Sequence, residues 1–379
     1  MLLPLHQALS GLVIFLLIAF TLRRLVMITA AALPSRPRTA AFEPSVAVIV
    51  AAKNEAESLP QLLKALNGIE YSPEKLRFVL VNDGSRDATG EILESWAASR
   101  PNARYVESAN SVGKAQALNL ALRVAPETDL VAVYDADLTP HAGSLRILAA
   151  AFLDPRVAAA TGYRRPSNAG GSPVAAYAAL ESFVHQLITQ AGKDRLGLNP
   201  TTLGGNCAYR RAALHELGGF RAGALSEDIE VSLALVEAGW RTRFCPEAVA
   251  DCPVVESFGR YWNQRSRWTR GIYRASARAR HLESWLVSAG YLDRLVFLAA
   301  LALAAAGHLG YAWPALYLSA PAAAAGCALW RANLGVKVTA YVLFWTLPMF
   351  AVDVAVTVTA TVSALLGRRQ KWLTGAPRA

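Results

Sequence analysis

Leu130-Val131-Ala132-Val133-Tyr134-Asp135-Ala136-Asp137 decides how the rest of the chain is read. Five mostly apolar residues with β-branched members predict a buried strand. That strand delivers two carboxylates at i and i+2, which share one side of an extended chain. Paired oxygen ligands at the carboxyl end of a strand suit a hard divalent cation that also grips a diphosphate. A solvated turn gives the same letters, so the surrounding chain must separate the two readings.

Upstream, residues 46–55 (VAVIVAAKNE) predict a strand running into a polar turn, followed by a helix from about Ala56 to Asn67. Residues 77–87 (RFVLVNDGSRD) predict a second strand ending in an acidic, glycine-containing turn, and Asp87 opens another helix. Arg104 to Glu107 is a short strand, and residues 112–119 (VGKAQALN) begin a third helix leading to the Asp135/Asp137 strand. Strands alternating with helices predict a mostly parallel sheet with ligands outside the strands' carboxyl ends. Glu55, Asp83, Lys114, Asp135 and Asp137 all fall at those ends or in adjacent turns. Singly, Asp83 and Asp87 are equally well read as helix N-caps and Lys114 as a solvated cation; jointly they define one polar edge.

Composition adds a membrane. The 379-residue chain is 54% hydrophobic and 17% charged, with a formal net charge of +10. Residues 9–22 are uncharged, and Arg23 and Arg24 interrupt a further apolar run to Leu33. Charge is again nearly absent over residues 291–330 and, Asp353 apart, over 338–367. Such runs match membrane helices of ~20 residues, with buried core helices as the alternative. The first run lacks a charged n-region and a small-residue cleavage site, which predicts an anchor rather than a cleaved signal. Arg23, Arg24, Arg36 and Arg38 follow it and place residues from 34 onward in the cytoplasm. The basic excess is therefore topological, and no nucleic-acid motif accompanies it. Cys207, Cys245, Cys252 and Cys327 show no metal-type spacing and fit a reducing compartment without chemistry of their own. Residues 291–307 and 311–330 read as two spans joined outside. Residues 338–367, interrupted by Pro348 and Asp353, read as one long helix or a broken hairpin; the hairpin keeps Arg368, Arg369 and Lys371 cytoplasmic.

The second half carries three further stretches. Residues 201–211 (TTLGGNCAYRR) form a glycine-rich loop before a helix, where backbone can approach a ligand closely or simply turn. Residues 225–233 (LSEDIEVSL) open a helix with acids in its first turn, an ordinary complement to the helix dipole. Residues 261–271 (YWNQRSRWTRG) place Gln264, Arg267 and Trp268 on one helical face. Arginines 260, 265, 270, 274, 278 and 280 also suit an interfacial helix against an anionic leaflet.

Taken in order, VAAKNE, VNDGSRDAT, GKAQALN, DAD, SED and QRSRW resemble glycosyltransferase family 2, and the last motif resembles its membrane-bound, often processive branch of chitin-oligosaccharide, poly-N-acetylglucosamine, hyaluronan and cellulose synthases. The resemblance implies a GT-A fold, Rossmann-like with a mostly parallel sheet, in a cytoplasmic domain flanked by transmembrane helices. It implies that Glu55, Asp83, Lys114 and Asp135 bind the nucleotide-sugar and that Asp137 ligates Mg²⁺ or Mn²⁺. Gly204, Gly205, Asn206, Glu227 and Trp268 are implied to bind the acceptor. Asp228 is implied as the general base, with Gln264 and Arg267 acting at the departing diphosphate. Ser226 stands where the family usually has Thr and is expected to keep the capping hydroxyl. Trp372, Thr374 and Arg378 take the place of a gate near the nucleotide.

The domain reading is an N-terminal transmembrane helix (1–33), a catalytic domain (34–255), amphipathic interfacial helices (256–288), a C-terminal transmembrane region (289–367) and a basic tail (368–379). The expected function is a multi-pass plasma-membrane inverting β-glycosyltransferase that uses a UDP-sugar, depends on metal and extends a glycan repeatedly. Transfer of one or a few sugars to a lipid acceptor is the alternative. A transporter or scaffold that merely binds nucleotide is the rival from another class, and the full set of acids opposes it. Membrane lipids are expected partners, nucleic acid is not, and an accessory subunit is left open.

Overall fold

The structure, a computed structural model, describes residues 5–34, 42–278 and 282–366. Its first elements are α1 (Leu5–Ala32), β1 (Val46–Ala52), α2 (Leu59–Asn67), β2 (Leu76–Asn82), α3 (Thr89–Ala98), β3 (Ala103–Glu107), α4 (Lys114–Val124), β4 (Leu130–Tyr134) and β5 (Thr139–Pro140). There follow α5 (Ser144–Ala150), β6 (Val157–Pro166), α6 (Pro173–Phe183), α7 (Ala191–Arg195), β7 (Cys207–Arg210), α8 (Arg211–Glu216), α9 (Glu227–Glu237) and β8 (Arg241–Cys252). The chain closes with α10 (Phe258–Ser276), α11 (Leu282–Ala305), α12 (Ala312–Ala332) and α13 (Val336–Leu365). Two compact units result. Among the described residues one contains 42–167 and 199–253, and the other contains 5–34, 168–198, 254–278 and 282–366. Residues 168–198, read from sequence as part of 34–255, thus belong to the helical unit.

The first unit is an α/β body on one eight-stranded sheet of order β3-β2-β1-β4-β7-β6-β8-β5. β1 pairs in parallel with β2 and β4, and β2 with β3. Alternate residues of β1 enter opposite cores: Val46, Val48 and Val50 pack with Leu62, Leu66 and Leu93, while Ala47 and Ile49 pack with Leu118 and Ala121. Burial on both faces explains why these strands are apolar throughout rather than alternating. Beyond β4 the mostly parallel sheet takes in antiparallel strands, although β6 and β8 pair in parallel. β7 runs antiparallel to β4 and β6, and β5 runs antiparallel to β8, so the sheet is mixed. β7 was hidden in the sequence because its four residues are too few to show a period.

β4 ends at Tyr134, as its five mostly apolar residues predict, and the chain beyond it leaves the extended path. The Leu138 amide donates to the Asp135 carbonyl at 3.1 Å and closes a turn immediately after Tyr134. Asp135 and Asp137 therefore sit half-buried on a turn between buried Ala136 and Leu138, not on extended strand.

The second unit is helical. α1, α12 and residues Val336–Ala364 of α13 are long and apolar enough to cross a membrane. Leu5, Leu12, Phe15 and Leu22 on α1 are exposed, a face suited to lipid rather than water. Of residues 291–307, expected as a span of their own, 291–305 continue α11, which also carries Asp293 and Arg294. α13 runs unbroken through Pro348, so residues 338–365 form the single long helix rather than the hairpin. An apolar helix tolerates an internal proline where neighbouring groups satisfy the freed backbone. The unit's charged groups pair internally: Arg24 with Asp293, Arg294 with Asp353, and Arg265 with Glu181 at 2.6 Å. The tail and its expected gate residues Trp372, Thr374 and Arg378 lie outside the described residues.

Candidate active site

Three loops at the carboxyl edge of β1, β2 and β3 are knitted to one another. Asn54 adopts φ +54°, donates its amide to Ser85 Oγ at 3.0 Å and accepts from the Arg86 amide at 2.9 Å. The Glu55 amide donates to Thr89 Oγ1 at 2.8 Å and the Ala56 amide to Asp87 Oδ2 at 3.2 Å. Burial opposes the Asp87 charge, yet hydrogen bonds from Thr89 and Ala56 hold the carboxyl below its ordinary range. Asp83 is buried and organises the third loop. Its oxygens accept from the Val112 amide (2.7 Å), the Ser111 hydroxyl (2.9 Å) and the Gly113 amide (3.1 Å). Gly84, at φ +63°, has no room for a side chain, since a Cβ there would lie 2.7 Å from the Ser111 nitrogen. Lys53 closes the set by donating to Ser111 Oγ at 2.9 Å.

Lys114, the first residue of α4, joins this edge to the second half of the chain. Its ammonium lies 2.6 Å from Asp135 Oδ1, 2.9 Å from Glu227 Oε1 and 2.9 Å from the Gly204 carbonyl. Burial disfavours the charge, but Asp135, Glu227 and Asp228 outweigh it and raise the lysine above its usual value. The glycine pair is explained by what surrounds it. A Cβ on Gly204, at φ +79°, would lie 3.1 Å from Asp228 Oδ2 and 3.3 Å from Lys114 Nζ. One on Gly205 would lie 2.7 Å from Asp135 Oδ2 and 2.8 Å from Leu138 Cδ1. Asp228, half-buried in the first turn of α9, has its carbonyl held by the hydroxyls of Thr202 (3.0 Å) and Ser232 (2.6 Å).

Two expected features look different in three dimensions. Asn206 is fully buried at φ +51° and donates to the carbonyls of Ala248 (2.8 Å) and Tyr163 (3.3 Å), so it fixes the loop from beneath. Ser226 is the N-cap of α9 but makes no side-chain cap hydrogen bond, correcting the expectation of a capping hydroxyl; its φ of −144° and ψ of 83° leave the buried oxygen away from the helix amides. Arg164 on β6, which no motif marked, enters the site. Its guanidinium donates to the Leu203 carbonyl at 2.5 Å and to Cys252 Sγ at 3.2 Å, and lies 3.6 Å from Asp135 Oδ2. A pair of arginines ending an otherwise apolar run, AAATGYRR, was the available signal.

The donor set suits a divalent ion shared with a ligand rather than a protein cage. Among the described residues no three His, Cys, Asp or Glu side chains are grouped to hold a metal. Mg²⁺ is ordinarily bound by one or two carboxylates plus substrate phosphates, which the Asp135–Asp137 turn can match. Asp135 also pairs with Lys114 and lies 3.6 Å from Arg164.

In the helical unit, Gln264, Arg267 and Trp268 are half-buried on α10. The Arg265 guanidinium lies 4.6 Å from the Trp268 ring centroid and 5.0 Å from that of Tyr261.

The first unit is thus a GT-A-like α/β body with acids, a lysine and a glycine loop at one sheet edge. The chain belongs to the family described as glycosyltransferase-like family 2, whose model matches residues 44–271. It is 32% identical over 232 residues to a probable glycosyltransferase YdaM of Bacillus subtilis (strain 168), covering 60% of this chain and 55% of that protein. It is 29% identical over 231 residues to a poly-beta-1,6-N-acetyl-D-glucosamine synthase of Staphylococcus aureus (strain COL), covering 60% and 54%. The match thus spans about half the length of these curated relatives. The fold is similar to that of the mannosyltransferase PcManGT from Pyrobaculum calidifontis, solved in complex with GDP-Man and Mn²⁺. There the TM-score is 0.65 at 21% identity, over 96% of this chain and 100% of that one.

Proposed function

We propose that the protein is a membrane-embedded inverting glycosyltransferase that transfers a sugar from a UDP-sugar to a glycan acceptor. The observation that carries this reading is the convergence of Asp135, Glu227, Asp228 and the Gly204 carbonyl around Lys114. It brings a carboxylate able to act as base within reach of a cation able to meet a departing diphosphate.

Asp228 takes the proton of the acceptor hydroxyl while that oxygen bonds to the anomeric carbon. The bond from that carbon to the diphosphate oxygen breaks on the opposite face, which inverts the configuration. Lys114 meets the charge on the leaving diphosphate. Glu55 and Asp83 are assigned to the nucleotide, and Gly204, Gly205 and Glu227 to the acceptor side. A divalent ion held by Asp137 would supply further positive charge against the diphosphate. The roles proposed for Gln264, Arg267 and Trp268 rest on the motif they form. The three span-capable helices support a multi-pass membrane protein, with the α/β unit assigned to the cytoplasm from Arg23 and Arg24 late in α1 and from Arg36 and Arg38 beyond it.

The name of the S. aureus relative makes N-acetylglucosamine the first donor sugar to test. Purified protein is incubated with UDP-GlcNAc, other UDP-sugars and GDP-mannose, with Mg²⁺ or Mn²⁺, and products are sized. Release of nucleotide with a new β-linked product supports the reading. Nucleotide binding without any transfer across the panel overturns it in favour of a binding protein.

A further inference from the structure

Arg164 lies among the acids of the donor site but has no part in the reaction above. It is anchored on one side by the Leu203 carbonyl, immediately before the glycine pair, and by Cys252 Sγ. On the other side it faces the acidic turn, 3.6 Å from Asp135 Oδ2, and its charge is felt together with those of both Asp135 and Asp137. Its side chain is 22% exposed, so this interaction is only partly screened by water. A cation built into the same turn as a metal ligand opposes the arrival of a second cation.

We infer that Arg164 is an internal counter-cation of the Asp135–Asp137 turn that competes with the divalent metal. The inference deepens the functional reading and rests on Asp137 as the metal ligand. With no nucleotide present, the guanidinium satisfies the turn and the metal binds weakly. The diphosphate brings the negative charge that lets guanidinium and metal coexist, so metal and nucleotide are taken up together. Arg164 is in this sense a positioning residue that couples the two ligands. A purely architectural arginine, by contrast, would protect the metal site, and its loss would weaken metal binding.

The two roles predict opposite signs. Mn²⁺ binding to the full-length protein, without nucleotide, is measured by electron paramagnetic resonance of free Mn²⁺ and by calorimetry. Arg164→Gln is expected to tighten Mn²⁺ by at least about threefold, the lower end for removing a partly screened like charge. Arg164→Lys keeps the charge and should stay within about twofold of wild type. The gain in Mn²⁺ affinity on adding UDP should shrink in Arg164→Gln. Unchanged or weaker Mn²⁺ binding in a folded Arg164→Gln protein overturns the inference. If that variant does not fold, judged by its melting temperature, Arg164→Met takes its place with the same expectation. Asp137→Asn tests the underlying reading separately: Mn²⁺ uptake that this change leaves intact removes the metal site, and the inference with it.

Discussion

Lys114 has three ammonium protons and three oxygen partners, so its side chain is fixed before any substrate arrives. That fixity makes the neighbouring acids separable by experiment. Asp228→Asn keeps the volume and removes the base, so transfer should fall by ~10²-fold or more while UDP affinity changes little. Equal losses of affinity and turnover, measured by calorimetry and product formation, would make Asp228 a structural residue of α9. Gly205→Ala acts on the other side of the lysine. Its new methyl meets Asp135 Oδ2 and Leu138 at under 3 Å, and overpacking of this kind costs ~1–3 kcal/mol. Donor KM should rise with a smaller change in acceptor KM; unaltered donor KM in the folded variant would show that the turn yields without consequence. The edge placement of Glu55, Asp83, Asp135 and Asp137 was legible in sequence because each follows a strongly apolar strand, and that of Lys114 because it opens a helix after the short β3. Arg164 was not, since an arginine at the end of a strand carries no period or motif and becomes meaningful only when Leu203 and Cys252 are brought beside it.

At the scale of elements, α10 shows how a motif helix is held. Arg265, between the motif letters Gln264 and Arg267, pairs with Glu181 of α6 at 2.6 Å while covering the rings of Tyr261 and Trp268. The Tyr261 hydroxyl, with one proton, is placed 2.8 Å from Glu181 and 3.0 Å from Asp353 of α13. Arg294 of α11 lies 3.6 Å from Glu181 and pairs with Asp353. Four helices therefore meet through a ring of charges whose members compensate one another. Removing one partner of a buried pair leaves the other uncompensated, at a typical cost of about 3–5 kcal/mol. Glu181→Gln is expected to lower the thermal stability of the detergent-solubilised protein, and Glu181→Gln combined with Arg265→Gln to lose less than the sum of the single changes. Strictly additive losses in melting curves would dissolve the network into independent contacts. None of this ring was legible beforehand: Glu181 and Asp353 are 172 positions apart in the numbering, and no periodicity links an acid on one helix to an arginine on another. The strands β1, β2 and β4 were legible because burial on both faces leaves runs with almost no polar residue, whereas β7 is too short to leave a trace.

At the scale of the whole molecule, the proposed transfer can be carried out once or repeatedly on one acceptor, and Trp268 tests which. An enzyme that extends a glycan must keep the product bound after each transfer while the new terminal sugar takes the catalytic position. An indole suits that task, because it holds the CH face of a pyranose without imposing a hydrogen-bond register, so one ring exchanges for the next. In this chain the Arg265 guanidinium, 4.6 Å from the ring centroid, sets the orientation of the indole, and Glu181 sets that of Arg265. Trp268→Ala should weaken acceptor binding by roughly 1–3 kcal/mol, the scale of exposing one large apolar side chain. UDP affinity should change little, since Glu55, Asp83 and Lys114 are assigned to the nucleotide. In a repeating enzyme the loss appears as shorter chains as well as a slower rate, because each weakened hold is another chance for release. In an enzyme that adds a single sugar to a lipid, the product keeps its size and only the rate falls. A variant that makes wild-type products at wild-type speed would leave Trp268 as a membrane-interface anchor.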